Sequence, residues 1–104
     1  MTWTLSKSTE LDDGVVRWDE LGDGPPIVLV HGTPYSSFLW RDVAPALARR
    51  GRRVYVFDHL GYGQSDKHEG QDLTLAAQGR NFADLLQRWN LQRPSVVACD
   101  IGGA

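Results

Sequence analysis

A chain of 104 residues is long enough for one domain and too short for two. Its residues are 41% hydrophobic and 23% charged, which excludes disorder on composition, and 11 Lys and Arg against 13 Asp and Glu leave a formal charge of −2 with no long run of either sign. Nucleic acid and anionic membranes are thereby excluded as expected partners, and a small, nearly neutral or apolar molecule is favoured.

Met1 to Gly14 carries Thr, Ser, Lys, Glu and Asp without an apolar core before a small-residue cleavage site, so it is not a signal peptide. From about Ser8 to Leu21, Asp12-Asp13-Gly14 is a hairpin-type turn between two short runs that read as antiparallel strands. Gly22-Asp23-Gly24-Pro25-Pro26 punctuates the chain. Ile27-Val28-Leu29-Val30 then forms a continuous apolar run, the pattern of a strand buried on both faces. Trp40, Val43, Ala44 and Leu47 recur at helical spacing and predict a helix within Ser37 to Arg50, divided or restarted at Pro45, whose ring cannot sit in a helix interior without loss of a hydrogen bond. Arg53 to Asp58 is a second buried-strand run. A helix is expected from Thr74, its N-cap, to Leu91, with Leu75, Gly79, Phe82, Leu85, Leu86 and Trp89 on the core face and Arg80, Asp84 and Arg88 on the other. Ser95 to Cys99 is a third buried-strand run, and a further helix is expected to begin at Gly102. Cys99, the single cysteine, excludes an internal disulfide and suits a reducing compartment, so the expected location is cytoplasmic. No apolar stretch approaches the roughly 20 residues of a membrane span. The order is an N-terminal β-hairpin followed by a parallel βαβαβ unit, an α/β fold.

In an open parallel sheet, ligand chemistry gathers beyond the carboxyl ends of the strands. The three parallel strands end in His31-Gly32-Thr33-Pro34, in Asp58-His59-Leu60-Gly61-Tyr62-Gly63-Gln64-Ser65-Asp66, and in Ala98-Cys99-Asp100-Ile101-Gly102-Gly103. Asp followed by Gly is common in ordinary turns. The small-x-Asp-x-Gly-Gly arrangement of Ala98, Asp100, Gly102 and Gly103 also meets the steric needs of a nucleophile elbow, where small residues let a strand reverse sharply into a helix.

With these motifs in order, the chain resembles the N-terminal part of the α/β-hydrolase fold, in the branch of epoxide hydrolases and haloalkane dehalogenases. "HGTP" is similar to that branch's oxyanion loop, "SSFLWRDVAPAL" to the helix that follows it, "GYGQSD" to the segment after the fourth strand, and "ACDIGGA" to an elbow with Asp in place of Ser. The resemblance implies an incomplete α/β-hydrolase fold over residues 1–104 that ends at the elbow, within a single domain whose cap and C-terminal part are not in these residues. It implies Asp100 as nucleophile, the backbone N–H groups of Thr33 and Ile101 as oxyanion donors, His31, Gly32 and Pro34 as the supporting loop, and no cofactor or metal. A carboxylate is ionised at neutral pH and needs no base to attack. Its attack on a saturated carbon gives an ordinary alkyl ester, whereas attack on an ester gives a labile anhydride, so an Asp elbow points to epoxides or halides.

The branch also uses a general-base His, a carboxylate that orients it, and cap tyrosines, all beyond the elbow, so this chain by itself is expected to be inactive and prone to self-association. Thr33 stands where dehalogenases carry a halide-binding Asn, and Ile101 where both enzyme types tend to carry Trp; Tyr62 leans towards epoxide hydrolases. His31 is expected to be a packed structural residue rather than the base. His59 and His68 are expected to face solvent or stabilise turns, Ser65 to brace a turn because Lys67 denies it an elbow, and Asp58 to brace its loop. A dinucleotide-binding module is disfavoured, because Asp66 stands where the third glycine after Gly61 and Gly63 belongs. A non-catalytic relative that binds a small ligand is the remaining alternative.

Overall fold

The computed structural model describes residues 3–32 and 35–98. Strands β1 (Lys7–Leu11) and β2 (Gly14–Leu21) form the expected hairpin, and β3 (Pro26–Val30), β4 (Arg53–Phe57) and β5 (Ser95–Ala98) complete a five-stranded sheet in the order β1-β2-β4-β3-β5. β2 runs antiparallel to β4, whereas β3 is parallel to both β4 and β5.

The continuous apolar runs are explained by burial on both faces. Ile27, Leu29, Val54 and Val56 point to one side, where they pack with Leu5, Trp40 and Ala44; Val28, Tyr55 and Phe57 point to the other, with Leu11, Val16, Leu60 and Leu85. Helix α1 (Val43–Arg49) covers the first face and α2 (Leu75–Arg88) the second. This division follows from topology. The chain moves from β3 sideways to β4, then back past β3 to β5, and a constant right-handed crossover places connections of opposite direction on opposite faces. β3 and β4 therefore send their outgoing chains to opposite sides, which opens a crevice beyond their carboxyl ends.

The segment Ser37 to Arg50 divides as its proline requires: a 3₁₀ turn over Ser37–Trp40, then α1 with Pro45 in its first turn, where a missing N–H is harmless. Thr74 caps α2 through its hydroxyl, which accepts the Ala77 N–H at 3.1 Å. At the other end Asn90 takes a left-handed φ of 58°, and the Leu91 N–H reaches back to the Leu86 carbonyl. The buried stripe of α2 differs from expectation at its start. Leu75 is 80% exposed, while Ala77 and Gln78 are buried with Leu85. Leu75 shares the angular position of Phe82 two turns later, so its exposure reflects its place at the helix end and not its direction. Gly79 is likewise exposed.

β5 is an outer strand among the described residues, paired to β3 alone. No helix among the described residues is long and apolar enough to cross a membrane.

Candidate active site

The crevice is built by two segments, the chain after β3 and the loop after β4. His31 follows β3 directly and is buried. Its Nδ1–H donates to the Gly32 carbonyl at 2.8 Å, which leaves Nε2 as the acceptor for the His59 N–H at 2.9 Å. The His59 ring returns the contact, with Nε2–H donating to the His31 carbonyl at 3.1 Å. The two imidazoles meet edge to face at 4.4 Å between centroids, and Phe57 closes on His59 at 5.1 Å. His31 is thus the packed structural residue expected. Of the two expectations for His59, solvent-facing or turn-stabilising, the first is overturned: the side chain is buried, and its ring holds the carbonyl of His31, the residue after β3.

Both rings are neutral at physiological pH. Burial lowers the His31 pKa, opposed in part by the Gly32 carbonyl and the Asp58 charge, and burial with the adjacent His31 lowers that of His59 to about 4. An unfolded histidine titrates near 6.5, so the unfolded chain binds more protons than the folded one between about pH 4 and 6.5 and stability falls as pH falls through that window. His59 alone should account for about 3 kcal/mol between pH 7.5 and pH 4. Urea unfolding at a series of pH values should show this slope, and His59→Phe should flatten it; an unchanged slope in that variant would refute the assignment. His68 has the opposite sign. It is exposed at the hairpin turn, 3.2 Å from the carbonyls of Glu69 and Asp13, and these raise its pKa, so its small contribution is lost as pH rises.

Asp58 braces the loop, as expected. Its buried carboxylate accepts the Ser37 N–H through Oδ1 at 2.6 Å and the Gln64 N–H through Oδ2 at 2.7 Å, so one side chain ties the start of the 3₁₀ turn to the turn at Gly61-Tyr62-Gly63. Ser65 is also structural: its hydroxyl donates to the Asp58 carbonyl at 2.6 Å and accepts the Arg17 N–H at 2.8 Å. Two contributors were invisible to sequence reasoning. The Gln64 amide accepts the Leu5 N–H and donates to the Trp3 carbonyl, and the Trp3 indole N–H donates to Ser37 Oγ at 2.9 Å. The N-terminal segment is thereby strapped across the crevice by partners about 60 residues away, for which no local pattern exists.

In the register of β5, Ala98 aligns with Val30, so the described ends of the two strands are neighbours in the sheet. Of the expected site residues, His31, Gly32 and Ala98 are thus gathered at one end of the sheet. Thr33, Pro34, Asp100, Ile101, Gly102 and Gly103 lie outside the described residues. Beside the β3 segment, Tyr35, Ser36, Phe38, Leu39, Arg41 and Gly63 line an open groove of ≈ 450 Å³, with the Arg41 guanidinium 4.2 Å above the Phe38 ring. Among the described residues no cluster of His, Cys, Asp and Glu is suited to hold a metal ion.

Comparison with known proteins fits this geometry. The chain is 36% identical over 85 residues to the bifunctional epoxide hydrolase 2 of Sus scrofa, an alignment covering 81% of this chain and 15% of that protein. It is 36% identical over 90 residues to haloalkane dehalogenase 2 of Mycobacterium bovis, covering 86% and 31% respectively. Among solved structures, an alpha/beta hydrolase fold protein from Burkholderia ambifaria superposes with a TM-score of 0.90 at 46% identity, over 99% of this chain and 37% of that one. A putative epoxide hydrolase from Pseudomonas aeruginosa does so with a TM-score of 0.79 at 30% identity, over 90% and 32%. The chain spans between 15% and 37% of the length of these proteins. With a sheet that gathers three motif-bearing strand ends, and with the family model for the alpha/beta hydrolase fold matching residues 25–104, the chain belongs to the α/β-hydrolase fold family.

Proposed function

We propose that this chain carries the nucleophile and oxyanion loop of a hydrolase that acts through an alkyl–enzyme ester on a small apolar electrophile, an epoxide in preference to a halide. The observation that carries the reading is the alignment of Ala98 with Val30. In the sequence, the oxyanion-loop motif directly follows Val30 and the elbow motif begins at Ala98. The epoxide hydrolase and haloalkane dehalogenase relatives support the same chemistry.

In the first step an oxygen of Asp100 bonds to the epoxide carbon, the ring C–O bond breaks, and the ring oxygen leaves as an alkoxide that takes up a proton. Water then adds to the acyl carbon of Asp100. The N–H groups of Thr33 and Ile101 stabilise the oxyanion, a donor of this kind being worth about 3 kcal/mol, and collapse releases the diol and restores the carboxylate. His31 and His59 are committed to holding backbone, so the base that activates water is assigned to neither. Turnover of the full-length protein in heavy-oxygen water should place the heavy isotope in the Asp100 carboxylate, read by mass spectrometry of the peptide that contains it. Label in the product alone would mean that water attacks substrate directly and would overturn the ester.

We further propose that the 104-residue chain turns over no substrate unaided and self-associates through β5. Val96 is 46% and Val97 42% exposed on an edge that no lysine or proline blunts. Sedimentation should show a mass that rises with concentration, and Val97→Lys should shift it towards monomer; a monomer at every concentration would contradict the proposal.

A further inference from the structure

We propose that the groove lined by Tyr35, Ser36, Phe38, Leu39, Arg41 and Gly63 binds the carboxylate end of an apolar substrate, with the Arg41 guanidinium as partner of the anion and the rings of Phe38 and Tyr35 as the wall for its carbon chain. The inference rests on the hydrolase reading above and narrows its substrate to an electrophile that carries an anionic end. Arg41 is set up for this role. Its Nη1–H donates to the Phe38 carbonyl at 3.2 Å while the guanidinium lies 4.2 Å from the centre of the Phe38 ring, so one bond and one ring contact hold the fork in place. The backbone beneath is fixed as well, because the Ser36 hydroxyl accepts the Phe38 N–H at 3.3 Å and the Arg41 N–H returns to the Phe38 carbonyl at 3.1 Å. Among the described residues no carboxylate pairs with Arg41. Its Nε–H and Nη2 group therefore remain as a two-donor edge, the geometry that meets both oxygens of a carboxylate.

Beside this charge, Tyr35 is 54% and Phe38 51% exposed, so two large rings are left to water where a chain of methylenes laid across them would cover both. Charge selects the end group. The six lining residues contribute one cation and no anion. Lys67, whose ammonium donates to the Gly63 carbonyl, adds a second cation next to that glycine, again without a carboxylate partner among the described residues. The groove between the hairpin turn and α2 has the opposite character: Asp12, Asp13, Asp72 and Asp84 line it with Arg80, and Arg80 is itself paired with Asp72 at 3.5 Å. A carboxylate is thus drawn to the first groove and repelled by the second. The first groove also draws on both segments that build the crevice, Tyr35 to Arg41 from the chain after β3 and Gly63 from the loop after β4, so it belongs to the end of the sheet where ligands gather.

The groove is tested on the 104-residue chain by saturation-transfer NMR with hexanoate, hexanol and hexylammonium as probes, a measurement that observes the small molecule and tolerates self-association of the protein. Hexanoate should bind with a Kd on the order of 10 mM, about fivefold tighter than hexanol, with hexylammonium the weakest. Arg41→Gln should remove the preference for hexanoate and leave hexanol unchanged, whereas Phe38→Ala should weaken both. Arg80→Gln, the same change of charge at the other groove, should alter neither, and added salt should shrink the preference in the unaltered chain. Equal affinity for hexanoate and hexanol would overturn the proposal, and so would an equal loss of preference in Arg80→Gln and Arg41→Gln, which would mark an effect of net charge. In the full-length protein, kcat/KM for an epoxide that ends in a carboxylate should exceed that for its methyl ester about fivefold and fall to parity in Arg41→Gln. Probe binding needs no reaction, so the two readings fail separately. A preference for hexanoate without an ester at Asp100 would sink the hydrolase chemistry and uphold the carboxylate site, whereas an ester at Asp100 without that preference would sink the carboxylate site alone.

Discussion

Asp100→Ala in the full-length protein should abolish covalent adduct formation and lower turnover of an epoxide by about 10⁴-fold or more, the scale seen when a nucleophile is removed from an active site. The size of the effect follows from the proposed chemistry. With the methyl group in place no carboxylate can form the proposed ester. Binding should survive, because the nucleophile contributes little to the apolar contacts that hold a small electrophile, so KM changes less than kcat. Intact-protein mass spectrometry during a single turnover reads the first half of the prediction and a diol assay the second. An adduct that forms in Asp100→Ala would end the assignment of that residue, and unchanged turnover would favour a water-first mechanism on the same fold.

The strands and helices were legible in the sequence because their causes are local. Ile27 to Val30 and Arg53 to Phe57 declare burial on both faces through unbroken apolar character, and the structure places helices on both sides of them. Thr74 declares a helix start because an N-cap needs only a hydroxyl and an amide three residues on. Leu75 was misread because helical periodicity gives angle and not reach: its direction is that of Phe82, yet it lies where there is no core to enter. The site was legible in part. The roles of Asp58 and Ser65 as braces follow from their types at a strand end. The burial of His59 does not, since it depends on β3 lying beside β4, a contact between residues 28 positions apart. Gln64 and Trp3 were silent for the same reason, at a separation of 61.

Asp58 and Gly63 should show the largest coupling among the described residues. The Asp58 carboxylate is buried and satisfies two amides at once, and only the Gln64 amide is close enough to the surface for water to replace it. Ser37 is fully buried, so Asp58→Ala leaves its N–H without a partner and should cost about 2–4 kcal/mol, a large share of the roughly 5–15 kcal/mol typical of a small domain. Gly63 packs its backbone against that same carboxylate at a φ of 55°, and a Cβ there would overlap both carboxylate oxygens. Gly63→Ala therefore carries a left-handed penalty of about 1–2 kcal/mol together with the cost of displacing Asp58 from its two amides. Once Asp58 is already Ala, that second cost has no origin. The double variant should then be more stable than the sum of the single losses implies, by about 1–3 kcal/mol, measured from urea midpoints of the three variants and the unaltered chain. Additive losses would show that Gly63 is required for its dihedral alone, and that the carboxylate and the glycine turn are held independently of one another.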